Sequence, residues 1–268
     1  IFFRLQRRMA SEKKIGQIIS VSQIPPLDWK NPEIVASFEH AVKHCSNPDL
    51  LDVTRIRTKV SAIISKTLMD KGFVHPPVQL FSPCSDPLNH ETEVASMSYY
   101  GQTVTLSQSM IFCKMLVLAL SNIDKVFWVS PNVRKEMNVK TEGRYATEFT
   151  QIDFESSLLD FESCLDLIEE VIKNVVNTLA EEEGDTIQRL SGRRLQKLTE
   201  PMKRFDLGAE AEKLGISQGQ AEDKLISENT VHPFFLTNLK REAYDRRDDA
   251  TGKFKNYDVL FPVVGEIL

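Results

Sequence analysis

Residues 127–155 read FWVSPNVRKEMNVKTEGRYATEFTQIDFE. Two apolar-aromatic runs flank a polar loop that is bracketed by Arg134 and Arg144. Glu136 stands beside the first arginine, and Glu148, Asp153 and Glu155 follow the second. The segments DKVFWVSPNVRKE and ATEFTQIDFES read as two strands on either side of that loop. Charges on a hairpin are usually a solvated face, and an isolated Arg-x-Glu is most often no more than that. Fixed charges of both signs within a buried pattern raise a second possibility, a site.

The surrounding chain sets the fold class. Upstream, residues 52–71 carry Val53, Ile56, Val60, Ile63, Ile64 and Leu68 at helical spacing, with Asp52 placed to cap the start and Gly72 to take a left-handed exit. FVHPPVQLFSP follows, and its prolines suit an edge or a bend. Residues 93–106 read as a hairpin turning near Gly101, and 108–120 as a helix. Downstream, residues 157–183 form a long amphipathic helix, with Phe161, Leu165, Ile168, Val171, Ile172, Val175 and Leu179 as its stripe and Gly184 as its stop. Residues 184–230 are polar and weakly patterned, which predicts a surface insertion with one or two helices. Residues 231–268 close as strand, irregular turn and strand. Hairpins joined directly, with helices in blocks, predict an α+β fold: an antiparallel sheet flanked by helices.

Bulk properties narrow the function. The 268 residues are ample for a sizeable core, and 41% hydrophobic with 26% charged is ordinary globular composition. A net charge of −5 argues against a general nucleic-acid binder. No apolar run approaches the roughly 20 residues of a membrane span, which predicts no membrane partner. Cys45, Cys84, Cys113 and Cys164 are scattered and predict reduced thiols in a reducing compartment, hence a cytoplasmic protein, with Cys113 a small buried hydrophobe. His40 and His44 are i, i+4 on a possible helix but lack a third ligand, so zinc is discounted. Neither GxGxxG nor GxxxxGK[ST] occurs, so a nucleotide site would need another design.

The opening stretch resembles motif 2 of class II aminoacyl-tRNA synthetases: strand, loop, strand, with Arg134 and Glu136 at the end of the first strand and EFTQIDFE (148–155) on the second, in the form of the aspartate and asparagine subgroup. Three further segments agree in order. Helix 52–71 with GFVHPP resembles motif 1, LSQSMIFCK (106–114) resembles the substrate-reading segment, and PFFLTN…NYDVLFPVVGEIL resembles the approach to the substrate-binding arginine. The resemblance covers roughly residues 50–268, with 1–48 as an N-terminal extension and 49–268 as a catalytic domain. The spelling SPNVR…GR…EFTQIDFE is most similar to the archaeal-type asparagine synthetases related to asparaginyl-tRNA synthetase. The chain stops at GEIL, before the family's motif 3, and an apolar VLFPVVGEIL end would be an unpaired edge, so a truncated fold is expected.

The resemblance implies a chemistry and a set of roles. ATP and an amino-acid carboxylate would form an adenylate with loss of pyrophosphate. Arg134, with Glu136 beside it, would serve the reacting phosphate, Arg144 the γ-phosphate, and Glu148 and Phe149 the adenine. Lys114 would meet a side-chain carboxylate and Asp153 the substrate ammonium, with Ser109 and Gln151 in the same pocket. Asp258 and Glu266 would hold Mg2+. Taken singly, Lys114 reads as a surface lysine, and Asp258 and Glu266 as turn and edge acids. Three functions fit: an asparagine synthetase that activates aspartate and takes ammonia as acceptor, the catalytic domain of an aspartyl- or asparaginyl-tRNA synthetase with tRNA as partner, and a non-catalytic paralogue. The family's motif 1 further implies a homodimer.

Overall fold

A computed structural model describes residues 39, 42, 45–82, 92–136, 148–229, 231–239, 246–261 and 265–266, with the backbone alone for Glu136, Gly265 and Glu266. The chain divides into two compact units, Ile1–Lys59 and Val60–Leu268. Helix α1 (Pro48–Asp70) begins earlier than the sequence predicts. Pro48 takes the first turn, where its missing N–H costs nothing, and the Asn47 side chain accepts from Asp49 N at 3.0 Å. Asp52 is therefore inside the helix rather than its cap. Gly72 then turns the chain out at φ 85°, as expected.

In the second unit the decisive element is a hairpin of two nine-residue strands, β5 (Lys125–Val133) and β7 (Glu148–Ser156), antiparallel from Lys125↔Ser156 to Val133↔Glu148. The loop between them includes the short β6 (Lys135–Glu136), which pairs with β2 (Thr92–Glu93). Val74 forms a single parallel bridge with Val126, so the proline-rich segment runs beside β5 without becoming a full strand. A second sheet has the order β1 (Phe81–Ser82), β4 (Gln102–Leu106), β3 (Ser96–Tyr99), and the predicted turn falls at Tyr100 and Gly101, both at positive φ. Helix α2 (Ile111–Leu120) starts three residues later than predicted and leaves 107–110 irregular.

Helix α3 (Phe161–Glu182) supplies the core. Asp160 caps it by accepting from Ser163 N at 2.7 Å. Leu165, Ile168 and Ile172 pack with Phe235 and Val259, while Leu167 and Val171 pack with Leu68, Phe73 and Phe127. Gly184 does not stop the helical path as predicted. Glu183 breaks it, and Gly184 opens a new helix, α4 (Gly184–Ser191).

The segment 184–230 departs most from expectation. It holds three helices, adding α5 (Leu207–Leu214) and α6 (Gln218–Glu228), and a strand, β8 (Lys203–Asp206). Each short helix buries only two side chains among Leu207, Ala211, Ala221 and Leu225, too few for a visible stripe. Local caps compensate: Asp206 accepts from Ala209 N, and Ser217 with Gln220 forms a reciprocal capping box. Strand β10 (Tyr257–Phe261) lies between β9 (Phe234–Thr237) and β11 (Gly265–Glu266), so the apolar run VLF is an interior strand, not an unpaired edge. Strand β8 runs parallel to β9, so the sheet β11–β10–β9–β8 is mixed rather than wholly antiparallel. Among the described residues, Cys45, Cys113 and Cys164 form no disulfide, and no helix is long and apolar enough to cross a membrane.

Asn238 organises this sheet's rim. Held at φ 56°, it donates to Asp206 Oδ1 at 2.8 Å and accepts from Phe254 N at 3.0 Å. A Cβ on Gly208 would lie 2.6 Å from Asn238 Nδ2. Gly208→Ala is expected to cost about 1–3 kcal/mol, read as a lower urea midpoint. Partial burial pushes the Asp206 pKa up, but Lys253, the Ala209 N–H and the Asn238 amide outweigh it and hold the carboxyl below its usual range. Its contribution is therefore complete above the unfolded value of about 3.9 and is lost as pH falls through the lower folded value. Asp206→Asn is expected to flatten the acid limb of a stability–pH curve; an unchanged limb would contradict this.

Candidate active site

Strand alternation sorts the hairpin into two faces. Phe127, Val129, Ile152 and Phe154 turn toward α1 and α3. The other face carries Val126, Trp128, Ser130 and Asn132 on β5 and, opposite them in register, Glu155, Asp153, Gln151 and Phe149 on β7. Helix α2 and segment 107–110 cover part of this second face, with Met110 packed on Val126 and Trp128.

Polar groups run along that face as a connected series. Ser107 Oγ bonds to Asn132 Oδ1 at 2.9 Å, and Asn132 Nδ2 donates to Gln151 Oε1 at 3.0 Å. Further along, Lys114 Nζ donates to Asp153 Oδ1 at 2.5 Å and lies 3.5 Å from Glu155 Oε2. Lys114 is only 6% exposed, so it is a buried ion-paired lysine and not the surface residue its position on a helix suggests. Ser109 is buried just before α2, where its backbone carbonyl accepts from Ser107 Oγ at 3.0 Å. At the far end, the Arg134 guanidinium stands 5.0 Å over the Phe149 ring, and Arg134 Nε donates to the Gln108 carbonyl at 3.0 Å. Glu148 is exposed next to it.

The hairpin thus brings together Arg134, Phe149, Gln151, Asp153 and Lys114, with Ser109 and Glu148 nearby. Arg144 lies outside the described residues, as do the side chains of Glu136 and Glu266 and the residues His40 and His44. Asp258 sits in β10 opposite Leu236, only 6% exposed, which makes it an interior strand acid and not a turn residue. Glu266 stands opposite Leu260, two residues along the strand from Asp258. Among the described residues, no group of three or more His, Cys, Asp or Glu is arranged to hold a metal.

Several site neighbours escaped the sequence reading. Asn132 is a buried polar side chain bonded into the series, Gln108 is buried and offers its backbone carbonyl to Arg134, and Glu155, which the sequence reading left without a role, shares Lys114 with Asp153. Asn132 was visible in principle as a polar residue at a buried position of an alternating strand. Tyr257 comes from a distant strand, and only the tertiary fold puts it here. Burial pushes its hydroxyl pKa far up, reinforced by Cys164, Asp153 and Glu155, so it stays protonated. Burial likewise raises the Cys164 thiol, which makes it an unreactive neighbour.

The profile described as tRNA synthetases class II (D, K and N) matches residues 35–268. The aspartate–tRNA ligase of Clostridium novyi (strain NT) is 26% identical over 167 residues, covering 61% of this chain and 28% of that protein. An asparaginyl-tRNA synthetase from Entamoeba histolytica, solved with asparaginyl-adenylate, superposes with a TM-score of 0.70 at 19% identity, covering 93% of this chain and 58% of that one. Its counterpart from Pyrococcus horikoshii gives 0.69 at 18%, covering 88% and 56%. The chain spans little more than half the length of these solved structures, and their likeness is one of fold: antiparallel strands flanked by helices in the class II catalytic core. A profile match over residues 35–268, on a chain whose motif 2 hairpin is built as described, makes this protein a member of the class II tRNA synthetase family of the D, K and N type.

Proposed function

We propose that this chain is the catalytic domain of an ATP-dependent ligase that activates aspartate as its adenylate and passes it to tRNA. One observation carries the reading: a cation over an aromatic ring at one end of a single strand face, and a buried lysine–aspartate pair at the other. Phe149 and Asp153 are four residues apart on β7, about 13 Å. That span suits an adenylate lying along the face, with its nucleotide at Phe149 and its amino acid at Asp153.

In the reaction a carboxylate oxygen bonds to the α-phosphorus as the bond to pyrophosphate breaks. Negative charge grows on the phosphoryl oxygens, and the planar Arg134 fork is suited to meet carboxylate and phosphate together. Arg134 and Phe149 are adjacent, as an α-phosphate and its base require. Glu148 is proposed near the adenine amino group, Arg144 at the γ-phosphate, and Glu136 beside the reacting phosphate. Asp258 and Glu266 offer the hard oxygen donors that magnesium takes, and a bound ion would neutralise phosphate charge.

At the other end the Lys114–Asp153 pair must open. A zwitterionic amino acid brings an ammonium for Asp153, with Gln151 and Ser109 alongside. An aspartate also brings a side-chain carboxylate for Lys114, so both buried charges keep a partner. Asparagine satisfies only the first and leaves Lys114 with Glu155 alone, at 3.5 Å. A buried charge that loses its nearest partner is costly, and this favours aspartate.

The relatives described above are tRNA ligases, and they support tRNA as acceptor. An ammonia-using asparagine synthetase is the second reading, favoured by the spelling SPNVR…GR…EFTQIDFE. Incubating the full-length protein with aspartate, ATP and either tRNA or ammonium separates the two. Charged tRNA is the expected product; free asparagine without charging selects the second reading, and neither product contradicts both. Arg134→Ala is expected to slow pyrophosphate exchange by about 10²–10³. Lys114→Met is expected to raise the aspartate KM on the order of 10²-fold while sparing that of ATP. Equal loss toward both substrates would instead mark Lys114 as a packing residue.

A further inference from the structure

Arg134 does not hold its place through the hairpin alone. Its Nε donates to the backbone carbonyl of Gln108, and one residue earlier Val133 N donates to Ser107 O at 2.8 Å. Segment 107–108 is thus fastened to the end of β5 by two consecutive carbonyls. The Gln108 side chain points elsewhere: Nε2 donates to Thr92 Oγ1 at 2.9 Å, and the residue is 2% exposed. Thr92 belongs to β2, and its backbone partner is Glu136 on β6, which begins at the residue after Arg134. The ion pair between Lys135 and Glu93 ties the same two strands.

These contacts close a ring: Arg134 to the Gln108 carbonyl, the Gln108 amide to Thr92, Thr92 across to Glu136, and Glu136 back along the chain to Arg134. A buried amide bonded to a hydroxyl is held in place, because leaving either partner unmet costs free energy. We infer that Gln108, anchored on Thr92, is a positioning residue that aims the Arg134 guanidinium over Phe149. The inference rests on the adenylate-forming reading of the site. Gln108 touches no substrate in this scheme. It acts by keeping the carbonyl that receives Arg134 Nε from drifting, and catalysis is sensitive to displacements on the order of 1 Å.

The test uses Gln108→Ala, Thr92→Val and Thr92→Ser in the full-length protein, with pyrophosphate exchange, melting temperature and crystal structures as readouts. Gln108→Ala and Thr92→Val are expected to lower kcat for exchange by about 10²-fold while the amino-acid KM stays within about twofold. The double variant should lose no more than either single one, and Thr92→Ser should restore kcat. A kcat unchanged in both single variants overturns the inference. So does a loss that Thr92→Ser fails to restore, or one that only follows melting temperature. If the wild type exchanges pyrophosphate with neither amino acid, the functional reading fails instead. The crystal structures then decide the positioning role alone: Arg134 Nε leaving the residue 108 carbonyl in Gln108→Ala supports it, and an unmoved guanidinium refutes it.

Discussion

The register of β5 against β7 is the constraint on which everything else in this unit depends. Side chains alternate with a period of two, so a slip of one residue would exchange the faces. In the observed register Phe127, Val129, Ile152 and Phe154 are turned toward α1 and α3, and Asn132, Gln151 and Asp153 toward the site. The slipped register would bury Asp153 in the apolar core and strip Lys114 of its partner. Burial of the aromatic face thereby fixes the geometry of the polar face. The core selects the register, and the register delivers the site.

Much of this was legible in the chain because the hairpin is locally consistent. Both strands are rich in aromatic and β-branched residues, and the end of the pair at Lys125 and Ser156 falls where patterning puts it, while the loop end closes at Val133 and Glu148, short of the expected 136 and 146. The stripe of α3 was visible for the same reason, though Leu167 and Val176 are buried as well, since this helix packs on two clusters rather than one. Segment 184–230 was hidden because its helices are short and stabilised by caps and by a parallel pairing to β9, none of which produces a long hydrophobic period. Lys114 shows the limit most clearly. A lysine on a helix reads as solvated, and only the pairing of β5 with β7 brings Asp153 and Glu155 within reach of it.

The electrostatics of the site divide along the strand. At one end a guanidinium lies over an aromatic ring, next to the exposed carboxylate of Glu148. At the other, one buried ammonium serves two carboxylates, with the protonated Tyr257 close by. Between them the Ser107–Asn132–Gln151 series is uncharged and bonded throughout, so it separates the two charged ends without adding charge of its own. Such an arrangement suits a ligand that is anionic at one end and zwitterionic at the other.

The most direct measurement is a crystal structure of the full-length protein with a non-hydrolysable aspartyl-adenylate analogue. The account predicts the phosphate-mimicking group at Arg134, the adenine at Phe149, and the ammonium at Asp153, with Lys114 moved from Asp153 to the analogue's side-chain carboxylate. An analogue bound away from the β5–β7 face, or bound with the Lys114–Asp153 pair intact, would contradict it.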